Sequence, residues 1–332
     1  MVGAPITRCA ILRKVTFLEK LRMSGEVLAK GHSRMEAVRD ARVGAAHEAH
    51  QEATDLVCSY LASRRVSIRL KETLSRDDIE WAHLVLSIGG DGTFLRASHS
   101  FNDLETTPLL GINSSPESSF GFYCAATARS FPSLFERLER SEVEPRPLWR
   151  MRILLNGEKQ PILVLNDALF AASSAATTLY YTVRRGGHEQ VQKSSGVWIS
   201  TPAGSTAGIL SAGGCIQPWS SRLLQFRVRE LFPPSVIGSG LPILGGLFES
   251  DFELIPRMTN ARLYIDGSNR SISVGYNDRL SFRPSERPIN WMASPMCDDN
   301  RHNLKKLVHK FKRDCRKAED AFERQQAEVL VY

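Results

Sequence analysis

Leu84-Val85-Leu86-Ser87-Ile88 followed by Gly89-Gly90-Asp91-Gly92-Thr93 is the stretch on which the fold turns. Residues 84–88 form a short apolar run, as a strand covered on both faces would. In a parallel sheet, ligands bind beyond the carboxyl ends of such strands. Three glycines at that point let backbone N–H groups approach a phosphate closely. Asp91 sits among them, where a carboxylate would be repelled unless it has a task. It could take a proton from an attacking hydroxyl or help hold a nucleotide's magnesium. The plainer alternative is a tight turn whose Asp caps a helix over 93–98.

Working outward, residues 10–17 read as a first strand, 42–64 as a helix, 109–113 as a second buried strand and 131–140 as a helix. This alternation predicts an α/β N-terminal domain over 8–145, layered on a parallel sheet. After Pro145 and Pro147 the pattern changes to short strands at 150–156, 162–165, 177–184, 196–200, 225–229, 262–266, 271–275, 279–282 and 289–292. Turn pairs such as Asn156-Gly157, Gly186-Gly187 and Asp266-Gly267 separate several of them. A β-rich second domain over 146–295 follows. A C-terminal helix over 298–328 carries Leu304, Val308, Phe311, Cys315, Ala318 and Phe322 at four- and three-residue steps. Packing on its own subunit is the simpler reading of that stripe, and an oligomer contact the sharper one.

Two further segments carry polar groups suited to a nucleotide. Ser200-Thr201-Pro202-Ala203-Gly204-Ser205-Thr206-Ala207-Gly208 follows an apolar run and opens a small-residue helix whose N–H groups and hydroxyls suit phosphate, ribose or adenine. Asn166-Asp167 ends the strand at 162–165, and an adjacent amide and carboxylate can bond a ribose diol. A close-packed junction and a turn are the respective plain alternatives.

The 332 residues, 42% apolar and 24% charged, are ordinary for a two-domain globular protein. No apolar run approaches the ~20 residues of a membrane span, and charges interrupt the first apolar stretch, so neither a membrane segment nor a signal peptide is expected. The net charge of +7 lies at the two ends, with 9 Lys/Arg against 4 Asp/Glu in 1–42 and 9 against 5 in 301–332. That distribution argues for an anionic small substrate and against nucleic acid. Six scattered cysteines without a Cys-x-x-Cys pair fit reduced thiols in the cytoplasm and no zinc site. His47 and His50, lacking a third ligand nearby, read as a solvated helix face. No Gly-x-x-x-x-Gly-Lys-Ser/Thr, Gly-x-Gly-x-x-Gly or Gly-x-Ser-x-Gly occurs, which removes P-loop kinases and weakens Rossmann dehydrogenases and α/β hydrolases.

Taken in order, these pieces resemble the NAD kinase family over roughly 10–292. The matching residues are the turn at 89–93, Leu110-Gly111-Ile112-Asn113, Gly121-Phe122-Tyr123, Asn166-Asp167, the segment from Gly196 to Ala207, and Asp266-Gly267. Lys193-Ser194-Ser195-Gly196, Ala203 and Gly208 look more like the plant NADH kinase and animal mitochondrial branch than the bacterial type.

The resemblance implies phosphorylation of the adenosine 2′-hydroxyl of NAD+ or NADH by ATP with Mg2+, giving NADP(H). It implies Asp91 as general base, Gly90, Gly92 and Thr93 lining the phosphates, and Phe122 at the substrate site. Asn166 and Asp167 would hold the adenosine, Thr206, Ala207 and Ser211 the adenine, and Lys193 and Ser195 would lie toward the nicotinamide. Magnesium would come with ATP, without a protein metal cluster, and a second subunit would complete the site in a homodimer or homotetramer. The rivals are a diacylglycerol- or sphingosine-type lipid kinase, which shares the glycine-rich turn, and a dinucleotide-binding sensor without turnover. Against the first, Asn113-Ser114-Ser115-Pro116 replaces a Gly-Thr-x-Asn-Asp-like segment, and exposed apolar stretches for a lipid are not evident.

Overall fold

The computed structural model describes residues 5–25, 34–102, 106–237 and 240–329, without the side chains of 34–40, 312 and 314–329. Its first part runs β1 (Arg8–Arg13), α1 (Phe17–Ser24), α2 (Arg34–Ser63), β2 (Ser67–Lys71), α3 (Arg76–Trp81), β3 (Leu84–Gly89), α4 (Asp91–Ser98), β4 (Leu109–Asn113), β5 (Cys124–Thr127) and α5 (Phe131–Glu139). The strands lie in the order β2-β1-β3-β4, with β5 on β4, and every pairing is parallel. All residues of β3 and β4 are buried, as expected of strands covered on both faces.

The strand expected over 10–17 stops at Arg13 because Thr16 starts a helix. Its hydroxyl accepts the Glu19 N–H at 3.3 Å, and the Glu19 carboxylate accepts the Thr16 N–H at 2.7 Å, a reciprocal cap. Helix α2 begins at Arg34 instead of 42 and buries Val57 and Leu61. His47 and His50 do not form a solvated face. Both are buried, His47 against Thr16 Oγ1 at 2.9 Å. His50 is 1% exposed, and burial, followed by the charges of Lys14 and Arg13, pushes its imidazole down to about 4.

After β6 (Arg146–Leu148) come β7 (Met151–Leu155), β8 (Glu158–Val164), β9 (Asp167–Ala172), β10 (Leu179–Arg185), β11 (His188–Ser194) and β12 (Gly196–Ser200). A 3₁₀ turn (Ala203–Thr206) and the short α6 (Gly208–Ser211) stand where a longer small-residue helix was expected. Then follow β13 (Leu224–Arg229), β14 (Gly245–Phe248), β15 (Phe252–Pro256), β16 (Ala261–Ile265), β17 (Ser271–Val274), β18 (Leu280–Pro284), β19 (Ile289–Trp291) and α7 (Pro295–Val329). Two six-stranded sheets, β11-β10-β15-β18-β7-β8 and β14-β13-β12-β9-β16-β17, are built from antiparallel pairs. Phe170, Val197 and Phe226 of one share a core with Tyr181, Phe252 and Phe282 of the other, a face-to-face sandwich.

The sheets do not respect the expected boundaries at 145/146 and 295. β19 pairs with β4, and β6 pairs with β19, so both extend the first sheet and make it seven-stranded. Helix α7 buries Cys297 and Arg301 near β5, but packing loosens beyond them, and Phe311 is 67% exposed. The described part of the Leu304–Val308–Phe311 stripe thus packs only partly on its own subunit. Cys315, Ala318 and Phe322 lie outside the described side chains. Among the described residues, no helix is long and apolar enough to cross a membrane.

Candidate active site

The glycine-rich turn leaves the carboxyl end of β3 and enters α4 directly. Gly90 is the N-cap and Asp91 the first helical residue, so Asp91 does not cap the helix. Gly89 has φ +158°, and a Cβ there would lie 2.2 Å from Thr93 Oγ1, so the buried Thr93 is folded back over it. Gly92 differs: it is exposed, has no positive φ, and a Cβ on it would meet nothing within 4 Å. Nothing in the chain's own packing requires glycine there, whereas a ligand approaching the α4 N–H groups would.

Asp91 Oδ1 accepts the Tyr123 N–H at 3.0 Å. Burial raises its carboxyl above the ordinary range, and the N–H groups of Tyr123 and Phe122 pull it partly back. Phe122 thus meets the turn through its backbone, while its ring stacks on Phe120 at 5.5 Å. The Tyr123 hydroxyl donates to Asn166 Oδ1, so one residue joins Asp91 to the Asn166-Asp167 turn.

That turn is built around Asp266. Its Oδ1 accepts the N–H groups of Asn166 (2.7 Å) and Asp167 (3.1 Å), and its Oδ2 accepts that of Leu165 (3.0 Å). The same Oδ2 meets His99 Nε2 at 2.7 Å, just past the end of α4. The helix that begins with Asp91 therefore reaches the turn a second time through His99. Asp167 is buried, and its Oδ2 accepts the Gly208 N–H at 3.2 Å. Burial first, and then the Asp266 charge, push the Asp167 carboxyl up to about 7.

Beyond β12 the chain doubles back over this turn. Thr201 N–H donates to the Asn166 carbonyl at 3.0 Å, and a Cβ at Gly204 would lie 2.0 Å from that same oxygen. Glycine is the only residue that permits so close an approach. The 3₁₀ turn and α6 then present half-buried Thr206 and Ala207 and exposed Ser211. A Cβ at Gly208 would start 2.9 Å from the Trp198 ring, which fills the space a larger side chain would enter.

The structure brings together Asp91, Gly90, Gly92, Thr93, Phe122, Asn166, Asp167, Thr206, Ala207 and Ser211, but not Lys193 and Ser195. Ser195 lies at the opposite end of β12 from Ser200, five residue steps or ~16 Å away. With Lys193 it lines a separate cavity of about 840 Å³ against Tyr180, Phe232 and Met258. Of the exposed large apolar side chains, Phe232 lines this cavity. Four residues of this network have no role on sequence alone: Tyr123, His99, Asp266 and Arg301. Tyr123 and Asp266 fall within the quoted motifs, and Arg301 has a signal of its own, because Cys297 and Arg301 continue the 304–308–311 stripe one heptad toward the start of α7.

Comparison with known proteins fits this arrangement. Residues 14–143 match the family model of the ATP-NAD kinase N-terminal domain. The chain is 33% identical over 264 residues to a protein named probable NADH kinase from Oryza sativa subsp. japonica, covering 72% of this chain and 80% of that one. It is 30% identical over 276 residues to the NADH kinase of Arabidopsis thaliana, covering 70% and 85%. In fold it is similar to the crystal structure of an NAD kinase from Archaeoglobus fulgidus in complex with ATP, with a TM-score of 0.63, 19% identity, and 91% and 98% of the two chains covered. With 33% identity to a plant relative over an alignment that covers most of both lengths, the chain belongs to the NAD kinase family.

Proposed function

We infer that the chain is a phosphotransferase that moves the γ-phosphoryl group of ATP to the adenosine 2′-hydroxyl of NAD+ or NADH, giving NADP(H). The observation that carries this reading is the half-buried Asp91 carboxylate at the start of α4, joined through Tyr123 to Asn166. Asp91 takes the proton of the 2′-hydroxyl. The freed oxygen forms a bond to the γ-phosphorus, the bond from that phosphorus to the bridging oxygen breaks, and ADP leaves with the electron pair. Burial strengthens the base by disfavouring its charged form.

Gly90, Gly92 and Thr93 line the phosphates at the helix start. Asn166 and Asp167 hold the adenosine, with Phe122 beside them and Thr206, Ala207 and Ser211 on the adenine. Among the described residues, no group of three His, Cys, Asp or Glu could hold a metal ion. A single carboxylate, Asp91, beside backbone donors fits magnesium carried on ATP, where it would neutralise phosphate charge. The place of Lys193 and Ser195 in a separate cavity, at the far end of β12 from Ser200, supports a site completed by a second copy, in a homodimer or homotetramer. Scattered unpaired cysteines suit the cytoplasm.

Purified protein with Mg-ATP and NAD+ or NADH in parallel, scored for NADP(H), tests the reading. Asp91→Asn should lower turnover ~10²–10⁴-fold while keeping the fold, since the amide oxygen still accepts the Tyr123 N–H. A variant that keeps more than half of wild-type turnover would remove Asp91 as base. Phosphorylation of a lipid alcohol, or binding without turnover, would replace the reading altogether.

A further inference from the structure

We propose that Arg301 of the C-terminal helix is a positioning residue for the dinucleotide, fixing the loop that carries Thr206, Ala207 and Ser211. The inference rests on the function proposed above. Arg301 is 4% exposed. Its Nη2 donates to the Pro202 carbonyl (2.7 Å), to Ser205 Oγ (2.7 Å) and to the Gln217 carbonyl. Pro202 and Gln217 are the two ends of that loop. Ser205 ties the same knot from within, donating to Pro202 O at 2.7 Å and accepting the Gln217 N–H at 3.0 Å. One nitrogen from outside the β-rich sandwich therefore clasps the loop shut.

The face of the guanidinium lies on Trp219. Its carbon lies 3.9 Å from the centre of the Trp219 ring, and Trp219 packs on Tyr123 at 5.9 Å and on Trp291 at 4.8 Å. Tyr123 is the residue whose N–H holds Asp91 and whose hydroxyl holds Asn166. Arg301 thus bonds the loop directly and meets the Asp91 half through Trp219 and Tyr123, without reaching a reacting atom. Among the described residues no carboxylate lies within 4.0 Å of it. The charge is carried by oxygen dipoles and an aromatic face, which makes the geometry of that cradle exacting.

Only Nη2 makes these bonds, and Nε and Nη1 have no hydrogen-bond partner among the described residues. A lysine ammonium, with three donors on one nitrogen, can occupy the same position, whereas methionine fills the volume and makes none of the bonds. Three proteins are compared: wild type, Arg301→Lys and Arg301→Met. In Arg301→Met, KM for NAD(H) is expected to rise ~10–100-fold, with KM for ATP within threefold and the melting temperature close to wild type. Amide hydrogen exchange is expected to quicken at least tenfold across 203–217 while β3 and β12 keep their protection. Arg301→Lys should recover most of both effects. Equal KM values in all three proteins, or unchanged exchange across 203–217, would overturn the proposal. So would a uniform loss of protection, which marks a general staple. If wild type makes no NADP(H), the functional reading fails, and the exchange pattern still decides whether Arg301 holds the loop.

Discussion

Asp167→Asn is expected to make the protein more stable, by an amount that grows with pH. The Asp167 carboxyl stands at about 7 in the fold against an ordinary 3.8, raised by burial and then by Asp266, and pulled back by the Gly208 N–H. The folded state therefore holds this proton more tightly than the unfolded chain. Below pH ~4 both states are protonated, and the residue costs nothing. Between about 4 and 7 the unfolded chain ionises while the folded one does not, so stability falls as pH rises, and above 7 the loss is complete. About three pH units at ~1.36 kcal/mol each come to ~4 kcal/mol. Asparagine has no proton to lose, and its amide oxygen can still accept the Gly208 N–H. Urea denaturation of wild type and variant at pH 5 and pH 8 should show the variant's advantage widening by ~2–3 kcal/mol. A difference constant to within ~0.5 kcal/mol would mean that Asp167 is already ionised in the fold, and would refute the electrostatic account. At pH 8, where the wild-type carboxyl is ionised, the same variant should bind NAD(H) ~10-fold more weakly, because ribose hydroxyls then donate to a neutral oxygen. A residue that costs stability and serves the ligand is the expected trade at a site.

Gly204→Ala places a Cβ 2.0 Å from the Asn166 carbonyl, so backbone must move. Thermal melting should show a loss of ~1–3 kcal/mol, with a higher KM for NAD(H), and an unchanged melt would contradict the close approach. Ser195→Asp places a carboxylate where the resemblance puts the nicotinamide. At 4 Å it favours the positively charged NAD+ by ~1 kcal/mol in water, so the ratio of kcat/KM for NAD+ to that for NADH should rise about fivefold. An unchanged ratio means residue 195 does not meet the ring. Light scattering should find an oligomer at assay concentration, and a fully active monomer would remove the shared site. Deleting 304–332, which keeps Arg301, asks separately whether the exposed Phe311 face contributes to assembly.

The sequence carried the parallel sheet, the β-rich second part and the Asp91 turn because each has a local signature. A fully apolar run with glycines after it, as at 84–93, and alternation between Asn-Gly or Gly-Gly turns are read within ten residues. Most missed elements had a weak one. β2 is partly exposed and polar, as Ser67-Ile68-Arg69-Leu70-Lys71. β11, with His188, Glu189, Gln190, Gln192 and Lys193, buries its glutamines against Tyr181 and the Ile243 carbonyl. Helix α1 was hidden by an apolar beginning, although Thr16-x-x-Glu19 is a capping signal. In the site, His99 and Asp266 meet across 167 residues of sequence, and no local pattern encodes a contact made only by the closed fold. The membership of β6 and β19 in the first sheet is of the same kind, since three-residue strands carry too little periodicity to reveal their partner.

Those two strands have a mechanical consequence. The chain leaves the first sheet at β6 and returns to it at β19, its immediate neighbour, so the whole sandwich is spliced into the sheet through two points ~4.8 Å apart. Such an insertion has its ends already together and could be cut out and bridged by a short turn without tearing the seven strands. Rotation about the line through its two anchors is the movement that spares the β6–β19 ladder, and it is opposed by the Tyr123–Asn166, His99–Asp266 and Arg301–Pro202 bonds that cross the cleft. Asp91 stands on one side of that pivot, and Asn166, Asp167 and the 202–217 loop on the other. Swinging about it would open the cleft only by breaking those three contacts, while each side kept its own internal geometry.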